Sequence, residues 1–487
     1  MRHPQNPERE GDAASHFTFN LQREKIKLQC SNSSAEDSGT QQPQSPSGRQ
    51  GGSNVPEKMK FYGWNLVAVL FVLDFINMGV PYYGGSVIIN DFMTRDIHMS
   101  ASTRGLGFTL LNIFVGVAAI PAAISISKIG LRATFVLGSA IVFVGALYMA
   151  LFAKTPIEYL IAFGVVIGTG IIFATLVPAF TAVARWFRKY RGRANGIAVS
   201  ASGIAGLLAA PLLGSVIRGH GDNWRLGWFI VAAAVVLAGI LAFFGVKESP
   251  ESMGQFVDGV PPEQQDQASR TDALATKYPW TTKQAYRTAA YWLIALGGIV
   301  ATFPFFLFVA HWAKRLAGVG FSGSDADWAL GFLTIGTLVG RWLGGVLMDY
   351  MKARVAFVLG LAVYFVGTYM AIAAMPGEYG VCVAYIAALL NGAAYGWTFT
   401  CVGTMVAHYY GPAAFPKLYG TMTLLISLIA SPAGIVGGWI FDAYHNYAPA
   451  FELNALLAAI GIVAILFAAM PKPGAAVPDE AVSAVAR

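Results

Sequence analysis

Twelve apolar runs fill most of the chain between residues 62 and 470. Each is close to the roughly 20 residues a helix needs to cross a bilayer. The first six fall at 62–88, 104–126, 133–153, 157–184, 195–217 and 226–246. The second six fall at 288–312, 327–348, 355–375, 379–407, 418–440 and 450–470. The pattern predicts an all-α membrane protein of twelve transmembrane helices. One long polar interruption, 247–286, is charged and contains Gln and Pro, and it divides the series into six plus six. Residues 1–58 are rich in Ser, Gln, Gly and Pro and hold no apolar core for a signal peptide. They read as a disordered cytoplasmic head, and Met59 just before the first span makes an upstream mis-assigned start an equal reading. The expected organisation is a head (1–58), a six-helix half (59–246), a cytoplasmic linker (247–286), a second six-helix half (287–470) and a cytoplasmic tail (471–487).

The two halves repeat. The turn Ser127-Lys-Ile-Gly-Leu-Arg132 after the second span answers Asp349-Tyr-Met-Lys-Ala-Arg354 after the eighth, 222 residues later. Ala184-Arg-Trp-Phe187 after the fourth answers Ala407-His-Tyr-Tyr410 after the tenth, and Pro211 in the fifth answers Pro432 in the eleventh. Three matches at nearly one offset predict a duplicated six-helix unit. Such halves around a central site are the plan of a secondary transporter.

Composition agrees, since 12% of the residues are charged against about 25% in soluble domains. The net charge of +7 sits in short loops, with fifteen Lys and Arg on one side of the predicted membrane and seven on the other. The richer side is expected to be cytoplasmic, with both termini and the linker there. The same distribution argues against nucleic acid as a partner. Three cysteines show no metal or disulfide spacing. No phosphate-binding glycine loop or zinc-ligand helix motif is present, so neither an enzyme nor a cofactor is expected.

One charge stands out. Arg341 lies inside the eighth run, eight residues before Asp349, which marks the water interface. At about 1.5 Å per residue it is roughly 12 Å deep, near the middle of a core about 30 Å thick. Burying an arginine there costs on the order of 3 kcal/mol, and such residues face a cavity or a partner. A substrate or coupling role is the expectation, with a structural ion pair as the alternative. Asp74, in the middle of the first run, is the second buried charge and a candidate proton carrier, or else a structural partner for a neighbouring helix's hydroxyls or for Arg341.

Six plus six spans, with turns like G-x-x-x-D-R/K-x-G-x-R after the second and eighth, resemble the major facilitator superfamily. The second copy is Gly345-xxx-Asp349-xxxx-Arg354; the first has Ser127 in place of the carboxylate, followed by Lys128 and Arg132. In such turns the charges cap neighbouring helix ends and latch the halves, which makes Lys128, Arg132, Asp349 and Arg354 gating candidates. Within the superfamily the chain is similar to monocarboxylate transporters and the oxalate/formate-antiporter group. The similarity rests on Phe61-Tyr-Gly-Trp64, on Trp186-Phe-Arg-Lys-Tyr-Arg-Gly-Arg-Ala-Asn-Gly196, and on Gly340-Arg341, which falls where both groups place their anion-binding arginine. It departs at Thr337, where monocarboxylate transporters have an aspartate, at Gly85, where they have a lysine, and in the eleventh span, which lacks the antiporter's basic residue.

The resemblance implies a small organic anion as substrate, a monocarboxylate, moved by alternating access with proton symport; exchange of carboxylates is the alternative, and a membrane sensor is the reading from another class. Arg341 would grip the carboxylate, and Asp74 would take the proton in place of the missing aspartate and lysine. Tyr82 and Tyr83 would line the entrance, or serve as interfacial aromatics. His311 would titrate during transport, or sit solvated at the interface. Asn391, Tyr395 and Trp397 fall where the group shapes its pocket, with helix packing as the competing account. Arg191 and Asn195 match residues bordering the inner cavity, although topology alone also explains Arg191. The expected partners are the anion, a proton or counter-anion and the bilayer, with the chain acting as a monomer in the cell membrane.

Overall fold

The computed structural model describes residues 61–261, 276 and 278–472, and every regular element among them is helical. The expected disordered head, the middle of the linker and most of the tail lie outside the described residues. Ten helical stretches are long and apolar enough to cross a membrane, and two of these are of double length, Thr103–Leu151 and Gly380–Tyr444. Gly130 at φ +86° breaks the first, and Gly411 at φ +73° breaks the second. Both lie in the left-handed region that glycine enters at little cost. With each double stretch divided there are twelve crossings, as the apolar pattern predicts.

They are α1 (63–96), α2 (101–129), α3 (131–151), α4 (156–186), α5 (Arg191–Gly219) and α6 (Trp224–Gly245) in the first half. The second half holds α7 (Ala289–Val319), α8 (Gly323–Tyr350), α9 (Ala353–Ala373), α10 (380–410), α11 (412–444) and α12 (Ala448–Phe467). Local chemistry sets several starts. Ser100 accepts from the Thr103 N–H, and Thr155 with Glu158 and Ser322 with Asp325 form capping boxes. Pro81 has no N–H to give, and α1 takes wide π turns from Phe75 to Ile89 around it. The seventh helix runs seven residues past its expected end at 312, which places Arg315 on the helix instead of in a loop. There Arg315 donates to Ile372 O at 2.5 Å and Ala374 O at 3.3 Å, closing the C-terminus of α9. Arg225 does the same for α3 through Ala150 O and Ala153 O.

Glycines bring the central helices together, backbone to backbone. A Cβ on Gly340 would fall 1.9 Å from Ala393 O, and one on Gly396 2.1 Å from Thr337 O, so α8 and α10 touch without side chains between them. This contact fixes where Arg341, the next residue, stands. A second close approach joins the halves: Cβ atoms on Gly192 and Gly196 of α5 would meet Gly345 O and Arg341 O of α8 at 2.2 and 2.6 Å.

The two described ends of the linker are tied to different halves. Glu248 accepts from the Leu131 and Arg132 N–H groups and pairs with Arg185 at 3.2 Å. Gln255 accepts from the Tyr62 N–H, and Asp258 from the Arg188 and Lys189 N–H groups. Burial holds the Asp258 carboxyl above its ordinary value, against the opposing pull of those N–H groups. At the other end the Thr276 N–H donates to His408 O, and Trp280 packs edge-on against Tyr410.

Candidate functional site

Arg341 is 2% exposed and lies where α5, α8 and α10 meet. Its Nη1 donates to the Val199 carbonyl and, at 2.5 Å, to Ser202 Oγ, both on α5 of the other half. Nε makes no hydrogen bond, nor does Nη2, so the side of the guanidinium that grips a carboxylate bidentately is unused. Its Cζ lies 5.3 Å over the Phe399 ring. Among the described residues no carboxylate forms a salt bridge with Arg341, and Asp74 interacts with it electrostatically across a longer gap.

Asp74 is buried nearby and reaches Arg341 through one intermediary. The Ser202 N–H donates to Asp74 Oδ2 at 2.9 Å, while the Ser202 hydroxyl accepts from Arg341 and donates to Val199 O. A single serine thus touches both buried charges. Around them are rings from both halves: Tyr83 of α1, Phe180 of α4, Tyr395 and Phe399 of α10 and Tyr419 of α11. The hydroxyls of Tyr82, Tyr83, Tyr395 and Tyr419 are within electrostatic reach of Arg341.

Below the site, toward the face that carries the basic loops, the halves are closed by a seam. Asn195 Nδ2 donates to Thr404 Oγ1 at 3.1 Å. One turn further, Arg191 of α5 comes within reach of His408 of α10, whose ring is buried with neither nitrogen hydrogen-bonded. At the end of α8, Asp349 accepts from the Gly192 and Arg193 N–H groups at 2.7 and 3.1 Å and pairs with Arg193 Nε at 3.3 Å. A carboxylate of one half therefore caps the first turn of a helix in the other.

The Major Facilitator Superfamily model matches residues 67–323 and 315–485, a large part of each half. The chain belongs to the Major Facilitator Superfamily. Among curated proteins it is 24% identical to monocarboxylate transporter 13 of Rattus norvegicus, across 83% of this chain and 89% of that one. It is 22% identical to the probable transporter MCH2 of Saccharomyces cerevisiae, across 77% and 75%. The E. coli fucose:proton symporter FucP has the same fold, with a TM-score of 0.64 at 15% identity over 85% of this chain and all of that one. The protein is a multi-pass membrane transporter, and within the superfamily it resembles the monocarboxylate transporter group.

This superfamily member gathers some of the expected site residues and disperses others. Arg341, Asp74, Tyr83 and Tyr395 converge. Tyr82 sits beside them, donating to Asn112 Oδ1 at 3.1 Å and packing edge-on to Tyr83 and Phe108, so it is a buried bundle residue and not an interfacial one. Asn195 belongs to the seam. Asn391 instead takes a bond from Thr368 of α9 and gives one to Ala387 O, which turns it away from Arg341. Trp397 fills the gap left by Gly344 and Gly360 between α8 and α9. His311 Nε2 bonds Gly434 O at 2.7 Å and the ring lies against Tyr447, so it joins α7, α11 and α12 away from the buried charges and is not solvated.

The gating candidates also divide. Arg191 donates to Ala184 O and Phe187 O, stapling the end of α4. Asp349 is buried as a helix cap, which corrects its reading as a water-facing marker. Arg132 holds the Val246 carbonyl through Nε, Arg354 reaches Leu466 O at 3.5 Å, and Lys128 is exposed. Ser127, with no carboxylate to offer, only bonds Ile124 O, and Glu248 of the linker caps α3 on that side instead. Sequence reading missed Ser202, Phe399, Thr404, His408, Glu248 and Asp258. Only the buried histidine carried a signal in the sequence, as the residue after the tenth run in the repeated turn Ala407-His-Tyr-Tyr410.

Proposed function

We propose that the protein carries a small organic anion with one carboxylate across the cell membrane, coupled to a proton, by alternating access. The unused Nε–Nη2 side of a buried arginine, held by its other nitrogen to the opposite half, carries this reading. One guanidinium supplies two parallel donors, which suits one carboxylate. No second cation stands beside it among the described residues to hold a dicarboxylate. The similarity to monocarboxylate transporter 13 points the same way.

Charge balance supplies the coupling. With Arg341 positive and Asp74 negative the site is neutral. An arriving carboxylate adds one negative charge, and a proton on Asp74 restores neutrality before the site crosses the membrane. Moving an unbalanced charge through the core would cost on the order of 3 kcal/mol. Because Arg341 is tied to Val199 and Ser202 of the other half, its engagement with substrate is placed to bias the two halves' relative position. The basic face, with both termini, is assigned to the cytoplasm.

Uptake of a carboxylate panel by the purified protein in liposomes, with internal pH followed by a trapped dye, tests this. Acidification accompanying a monocarboxylate is expected. Uptake that occurs only against a trapped second anion would replace symport with exchange, and absence of any carboxylate flux would remove the anion reading altogether.

A further inference from the structure

We infer that the anion is an aryl acid: a monocarboxylate whose aromatic body lies against Phe399 and Tyr395 while its carboxylate is held by Arg341. This rests on the carboxylate reading above and narrows it. Around Arg341 the side chains are mostly rings, which present faces and edges to a ligand body, with tyrosine hydroxyls at their rims. The guanidinium carbon lies 5.3 Å over Phe399, whose centroid is 5.7 Å from Tyr395 and 6.3 Å from Phe180. Phe305 stacks on Tyr395 at 3.7 Å with planes 9° apart, and Tyr419 lies 5.1 Å from Phe180.

The Phe399 ring sets the register: with the guanidinium carbon 5.3 Å over it, an aryl group one or two bonds from a carboxylate held by Arg341 is in range of the same aromatic group. Phe399 is half-buried while the residues on either side of it, Thr398 and Thr400, are fully buried, so part of its ring is left for a ligand. Aromatic pairs at such spacings prefer offset or edge-to-face geometry and gain beyond simple area burial. A saturated ring of the same size does not gain this.

The discriminating set is acetate, cyclohexylacetate and phenylacetate. Flux of each into proteoliposomes is measured after subtraction of flux into protein-free liposomes. Both an inward proton gradient and a trapped counter-anion are used, so the coupling mode does not decide the result. Phenylacetate is expected to exceed cyclohexylacetate by roughly tenfold in kcat/KM, the value of one good aromatic contact, and acetate by more. In Phe399→Leu the first gap, the ratio of phenylacetate to cyclohexylacetate in kcat/KM, should close. Equal handling of phenylacetate and cyclohexylacetate, or a preference for acetate, would overturn the aryl inference and leave the carboxylate reading in place. Failure of all three acids would overturn both. Should Phe399→Leu not insert, the comparison of the three acids in the unaltered protein and in Tyr395→Leu decides the matter in the same way.

Discussion

Arg341 is bonded through Nη1 and unbonded at Nε and Nη2, and that asymmetry sets what its replacements should do. Arg341→Lys keeps the charge and loses the paired donors. Carboxylate uptake should fall at least a hundredfold in kcat/KM in correctly inserted protein, and near-normal uptake would show that the anion binds elsewhere. Asp74→Asn keeps an oxygen for the Ser202 N–H but cannot take up a proton. Its uptake should lose its dependence on the pH gradient while exchange of labelled for unlabelled anion across the membrane persists. An unchanged pH dependence in this variant would assign the proton to another group. Both residues were visible in the sequence, since a charge inside an apolar run is costly wherever the chain folds. Ser202 was not, because a serine in a small-residue helix looks the same whether it joins two charges or caps its own turn.

At the scale of the helix, α5 carries the contact between halves. It gives Val199 and Ser202 to Arg341, Asn195 to Thr404, and its first N–H groups to Asp349. Asp349→Ala removes two charge-assisted hydrogen bonds and an ion pair, bonds of about 1.5–3 kcal/mol each when one partner is charged. The seam should then open more often. A Thr404→Cys reporter, in a chain cleared of its native cysteines, should react with a maleimide from the basic face at least fivefold faster when Asp349→Ala is added. Equal rates would show that Asp349 does not hold this face shut. The apolar pattern predicted α5 within a few residues at each end. Its small residues could not say which helix they faced; the tertiary structure names α8, through Arg341, Asp349 and the Gly192–Gly345 approach.

For the whole molecule, closure depends on two helices meeting at their glycines. Gly196→Leu would place a side chain against Arg341 O. It should hold the halves apart on the basic face, abolish transport, and leave Thr404→Cys reactive from that face alone. Transport at the normal rate in Gly196→Leu would mean that the halves need not meet there. The linker contributes at the same scale, through Glu248 and Asp258 on one half and Thr276 and Trp280 on the other. A cysteine introduced at the exposed Glu251, in a chain cleared of its native cysteines, should react with an impermeant maleimide only in vesicles that expose the cytoplasmic face, and labelling from the opposite face would invert the assigned topology.

The sequence by itself determined the twelve crossings, the division into two halves, the charged face and the two buried charges. Those follow from terms that act along the chain: the cost of apolar residues in water, of charges in hydrocarbon, and of unpaired backbone groups in lipid. The tertiary structure alone decided that Arg341 and Asp74 share Ser202, that Asn391 bonds Thr368, that Trp397 packs on Gly344 and Gly360, and that His311 bonds Gly434 O. It also decided that Glu248 takes the place Ser127 leaves empty. Those outcomes depend on which helix faces which, and helical periodicity gives a face without naming its neighbour.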